Sequence, residues 1–160
     1  MKTVLFWVLV GSVALVAAEV IENTACDRGR DANILSDLSE ITVDPCPEAE
    51  NGEPCKLYKG SNATVSFKFT PNTTPTRMKS TISWVKGNTD LTFRAMRPDA
   101  CLYMECPVKP NEENIFSATL NLGTQLPTGL YPLKVKLQEL RGRKRVFACQ
   151  LFRIRLTDPE

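Results

Sequence analysis

The stretch Ala63-Thr64-Val65-Ser66-Phe67-Lys68-Phe69-Thr70 alternates apolar and polar residues without a break. That two-residue period belongs to a strand with one face against a core and the other in water. The pattern returns in Phe116, Ala118, Leu120 and Leu122, and again in Tyr131, Leu133, Val135 and Leu137, where Pro132, Lys134 and Lys136 interleave. Less regular runs at 38–44, 78–85, 91–95 and 146–157 extend the series; Ile82 and Trp84 share one face of the second, and Phe152, Ile154 and Leu156 one face of the last. Pro, Gly and Asn separate these runs at a spacing that suits a sandwich of antiparallel strands. The expectation is an all-β chain of seven or eight strands. The polar segment Arg141-Gly142-Arg143-Lys144 reads as the hairpin connection between the last two.

The chain has 160 residues, 20 Lys and Arg against 18 Asp and Glu, and no His. That length holds one ordinary domain. A near-neutral balance gives no reason to expect a nucleic-acid partner. Without His, the commonest general base, the commonest zinc ligand and the Ser-His and Cys-His nucleophiles are all missing. The carboxylates Asp37, Glu40, Asp90 and Asp99 are scattered and form no motif of a facing pair, so a His-free glycosidase finds no support. No enzyme, no cofactor and no metal site is expected.

The segment 1–18 has one positive residue, Lys2, then an apolar run from Val4 to Leu15 and compact residues at Val16 and Ala18. It reads as a secretory signal peptide cleaved after Ala18, with a domain over 19–160. A core helix is the plainer alternative, but the run sits at the extreme N-terminus before a cleavage pattern. Removal of Lys2 takes the formal charge from +2 to +1. All six cysteines, Cys26, Cys46, Cys55, Cys101, Cys106 and Cys149, follow the cut. An even number in an oxidising compartment predicts three disulfides. Two pairs are close in sequence while Cys26 and Cys149 bracket the domain, so nearest-partner closure favours two small loops and one long staple. Asn62-Ala63-Thr64 and Asn72-Thr73-Thr74 are acceptor sequences for N-glycans at Asn62 and Asn72.

The cysteine blocks carry a resemblance. They run Cys46-Pro47; Glu53-Pro54-Cys55 with Lys59-Gly60; Pro98-Asp99-Ala100-Cys101; Cys106-Pro107-Val108; Tyr131-Pro132; and Phe147-Ala148-Cys149 with an apolar last strand. From Cys26 to Leu156 the chain resembles the ML lipid-recognition domain and, within it, the Niemann-Pick type C2 family with its arthropod members and mite group 2 allergens. The resemblance implies an immunoglobulin-like β-sandwich with an internal apolar cavity between splayed sheets. It implies the pairing Cys26 with Cys149, Cys46 with Cys55 and Cys101 with Cys106. It also implies a carrier of sterols, fatty acids or other apolar small molecules such as semiochemicals. Phe93 and Tyr131 match the family's gate positions, and the third gate position falls in Leu126-Pro127-Thr128, one residue shorter than the vertebrate pattern.

The expected ligand-binding residues are Val65, Phe67, Ile82, Trp84, Leu91, Phe93, Phe116, Leu120, Tyr131, Leu133, Val135, Phe152 and Ile154. Such a carrier works by burying apolar area and needs no reacting group. The basic cluster Arg141, Arg143, Lys144 and Arg145 reads either as a solvated hairpin tip or as a contact for an anionic membrane surface or an acidic partner, such as a membrane transporter. A secreted immunoglobulin-like module that binds protein, or an innate-immune lipid sensor, is the alternative. Against the module, Phe147 stands two before Cys149, where antibody-type domains place Tyr. A monomer is expected, either extracellular or lysosomal.

Overall fold

The computed structural model describes residues 19–26, 34–94, 96–140 and 145–159. The expected signal segment at 1–18 and hairpin tip at 141–144 lie outside them. Among the described residues the strands are β1 (Glu19–Val20), β2 (Asn23–Ala25), β3 (Ser36–Asp44), β4 (Cys55–Tyr58), β5 (Asn62–Pro71), β6 (Met78–Lys86), β7 (Thr89–Thr92), β8 (Asn114–Asn121), β9 (Gly129–Glu139) and β10 (Val146–Thr157). Eight have four residues or more, and β1 and β2 add short edge pieces. Two short 3-10 turns, Pro47–Asn51 and Ala100–Leu102, are the helical elements among them.

The strands form two sheets. One has the order β1-β3-β5-β8, and the other β2-β10-β9-β6-β7. All neighbours along these paths are antiparallel, but β4 joins the last half of β10 in parallel, with Cys55 opposite Ile154. The strand β4 is too short to show a period of its own. Ser39 to Ile41 in β3 skips one register step against β5, and the intervening Glu40 takes a φ of 34°, the mark of a bulge.

Alternation decides which face each strand buries. In β5, Ala63, Val65, Phe67 and Phe69 are enclosed, and they meet Leu120, Ala118 and Phe116 of β8 along one face. In the second sheet the inward rows read Ser80-Leu137-Ala148, Ile82-Val135-Gln150 and Trp84-Leu133-Phe152, followed by Tyr131-Ile154. Fully burying a side chain of Leu or Phe size stabilises by roughly 1.5–3 kcal/mol relative to leaving it exposed. The outward face of β5 is instead polar, with Thr64 bonded to Thr119 and Ser66 to Ser117.

Three disulfides link Cys26–Cys149, Cys46–Cys55 and Cys101–Cys106, the pairing the resemblance implied. Cys26 follows β2 and Cys149 lies in β10, so that bridge stays within one sheet. Trp84 packs on Tyr131 rather than on a disulfide. The antibody-type arrangement of a Trp against an inter-sheet bridge is absent from the described residues.

Candidate functional site

The inward faces of the two sheets meet in a continuous apolar layer. On the β5–β8 side Phe67 stacks on Phe116 with ring centroids 4.8 Å apart, and Tyr103 tilts against Phe116 at 5.8 Å. On the β6–β9–β10 side Ile82, Leu133, Val135, Phe152 and Ile154 are all buried. Val65 and Leu120 are enclosed with them.

At one end of this layer Trp84 and Tyr131 tilt against each other at 4.9 Å. The Tyr131 hydroxyl donates to the Pro127 carbonyl at 2.6 Å, which ties the loop before β9 to the inward face. Burial pushes the Tyr131 phenol above its ordinary pKa, with Lys59 pulling weakly the other way, so the hydroxyl stays protonated and keeps that bond. Phe93 follows β7, donates its backbone N–H to the Ile82 carbonyl at 2.9 Å and packs half-buried on the same core. Leu126 packs there too. Lys86 sits over the Trp84 ring at 5.3 Å from its centroid. The end therefore combines two aromatic rings, a tethered loop and a cation, with Phe93 one register row away beside Ile82.

Leu91 departs from its expected inward place. The two-residue turn Gly87-Asn88, with Gly87 at φ 56°, sets Lys86 opposite Thr89 and Trp84 opposite Leu91. Leu91 thus shares Trp84's face but sits on an edge strand with no neighbour beyond it, and is 46% exposed. The strand itself runs 89–92 rather than 91–95. Ile41, Val43, Leu57, Phe69, Leu137 and Leu156 join the same buried layer, although the expected ligand-binding set does not include them. Most lie in weakly alternating runs or in the short β4.

Of the basic cluster, Arg145 is the one described member. Arg145 donates to both carboxylate oxygens of Glu139, at 3.1 and 3.0 Å, and to Thr73. Its hydrogen bonds hold the Glu139 carboxyl below the ordinary glutamate range. Arg145 is therefore a structural partner of Glu139, not a solvated tip. Of the four scattered carboxylates, Asp90 pairs with Lys134 at 2.8 Å, and Asp99 accepts from the Cys101 N–H and pairs with Arg77. On the outer face of the same sheet, Val85, Pro132, Leu151 and Arg153 line an open groove of about 360 Å³. Asn62 and Asn72 are both exposed, at opposite ends of β5.

Residues 21–156 match the family described as the ML domain. The chain belongs to the ML-domain family. A relative from Manduca sexta named MD-2-related lipid-recognition protein is 32% identical over 138 residues, covering 83% of this chain and 85% of that one. The Caenorhabditis elegans protein heh-1 is 28% identical over 131 residues, covering 81% and 82%. Among solved structures, a Niemann-Pick type C2 protein from the Japanese carpenter ant superposes with a TM-score of 0.72 at 18% identity, over 86% of this chain and 100% of that one. The two-sheet architecture is that of the ML domain. Within it, the aromatic end and the apolar layer between sheets are the features in this chain that suit a lipid.

Proposed function

We propose that the chain is a secreted carrier that binds and transfers a sterol, fatty acid or other apolar small molecule held between its two sheets. The observation that carries this reading is the continuous apolar face from Phe67 and Phe116 to Leu133 and Val135, which ends at Trp84 and Tyr131 and against which Phe93 packs. An apolar ligand slid between such faces loses its contact with water at about 25 cal/mol per Å² of buried area, less the cost of association. Affinity then follows from enclosure alone, and release needs only a path past the rim. The binding residues are those expected above, with Leu91 at the lip and the others on the walls. The name of the Manduca relative supports a lipid as the ligand class. Cleavage after Ala18, glycans on Asn62 and Asn72, a monomeric state and hand-over to a membrane or a membrane transporter belong to the same proposal.

Native mass spectrometry of the protein secreted from eukaryotic cells, followed by organic extraction, tests the reading. One lipid per chain is expected, displaced by an added sterol or fatty acid. Tyr131→Asp and Phe93→Asp, which put a charge at the aromatic end, are expected to abolish retention. A chain that leaves the cell empty and takes up neither class would refute the proposal.

A further inference from the structure

Two side-chain oxygens are fully enclosed yet have no hydrogen-bond partner among the described residues: Ser80 Oγ and Gln150 Oε1. Both lie on the inward face of the six-stranded sheet. Ser80, 1% exposed, stands in the row with Leu137 and Ala148, and Gln150 in the next row with Ile82 and Val135. These rows are the two that lead inward from the Trp84 row. An enclosed hydroxyl or amide without a partner costs its desolvation outright, whereas an alkyl side chain of similar shape costs nothing. The buried polar groups on the opposite face of this sheet are paired: Ser83 with Thr92, and Lys134 with Asp90. Glu139, buried at the far end of the inward face opposite Met78, is paired with Arg145, so among the described residues the enclosed side-chain oxygens left without a partner are the two set among Ile82, Val135 and Leu137.

We infer that Ser80 and Gln150 are polar contact points for oxygen functions on the inserted part of the ligand. The ligand class is then a lipid hydroxylated or otherwise oxygenated at its buried end, not one that ends inward in bare hydrocarbon. Ser80 Oγ can donate or accept, and Gln150 Oε1 accepts, so an alcohol group suits either. The inference rests on the carrier reading and narrows it. From Trp84 to Ser80 the strand rises about 13 Å, close to the extended length of a twelve-carbon chain.

The matched probes are dodecan-1-ol and dodecane-1,12-diol, titrated into the secreted protein by calorimetry. In a wholly apolar site the second hydroxyl weakens binding, because one end must be buried unpaired. Here the diol is expected to bind at least as tightly as the alcohol. The variant Ser80→Ala/Gln150→Leu is expected to lose about tenfold for the diol, the worth of one good hydrogen bond, while its affinity for the alcohol, which can turn its one hydroxyl to the water at the rim, changes by less than about threefold. Retained alcohol binding certifies that the variant is folded; should the double variant not fold, Ser80→Ala alone is compared in the same way. A diol-to-alcohol ratio that is unchanged by the substitutions, or a diol much weaker than the alcohol in the wild type, would overturn the inference. If neither probe binds a wild-type protein that still takes up a sterol or fatty acid, the inference falls alone; if it takes up none of these, the carrier reading falls with it.

Discussion

Replacing both members of the long staple, Cys26→Ala with Cys149→Ala, is expected to lower the stability of the folded chain by about 4–5 kcal/mol. The two residues are separated by 123 positions, nearly the whole described domain. Cutting the bridge frees the unfolded chain to explore a far larger set of conformations, and the cost grows with the logarithm of the loop. Domains of this size hold only about 5–15 kcal/mol in reserve, so the variant should lie close to its unfolding threshold at 37 °C. The bridge joins the residue after β2 to β10, so its loss also loosens the edge that β2 covers. Urea unfolding under non-reducing conditions checks this. A midpoint within error of the wild type would mean that the denatured chain is already compact.

Phe116→Ala should cost about 3–5 kcal/mol, the range for a fully buried Phe whose site cannot collapse. Phe116 is 0% exposed, stacks on Phe67 at 4.8 Å and is met by the tilted ring of Tyr103. It hangs from β8, an edge strand of the smaller sheet, and its removal leaves Phe67 and Tyr103 without the ring they pack on. Denaturant melts of the lipid-free protein read the loss. Saturating an apolar ligand should then return more stability to the variant than to the wild type, because the enlarged space accepts more ligand. A loss below about 1 kcal/mol would imply a site that collapses without strain.

Much of this architecture can be read from side-chain period. The runs now seen as β5, β8 and β9 alternate cleanly because each has one wet and one dry face. The edge β7 was misplaced because its register depends on Gly87-Asn88, a turn that reveals itself only when Lys86 is known to oppose Thr89. The pieces β1, β2 and β4 carry too few residues to show a period, and their place is fixed by partners far along the chain.

The aromatic end was legible on other grounds. Phe93 and Tyr131 were expected from the family's gate positions and Trp84 from its alternation with Ile82, and the structure adds that Trp84 packs on Tyr131. Ser80 and Gln150 were not legible, since a polar residue in a strand normally reads as a wet position. Only the register, which sets Ser80 beside Leu137 and Gln150 beside Val135, turns them inward. The pairing of Arg145 with Glu139 was not legible either, since the two are six residues apart in chain order and show no charge pattern in the sequence.

Trp84 gives the most direct test of binding between the sheets. The chain has two tryptophans, Trp7 and Trp84, and the secreted form, cleaved after Ala18, would keep only Trp84. Bromine quenches indole emission at close range, so a brominated fatty acid or sterol titrated into the secreted protein reports contact with that ring. The expected result is saturable loss of most Trp84 emission at one lipid per chain, reversed by the unbrominated lipid. Stoichiometric binding by mass spectrometry with unquenched Trp84 would contradict insertion between the sheets and move the lipid to another surface of the chain.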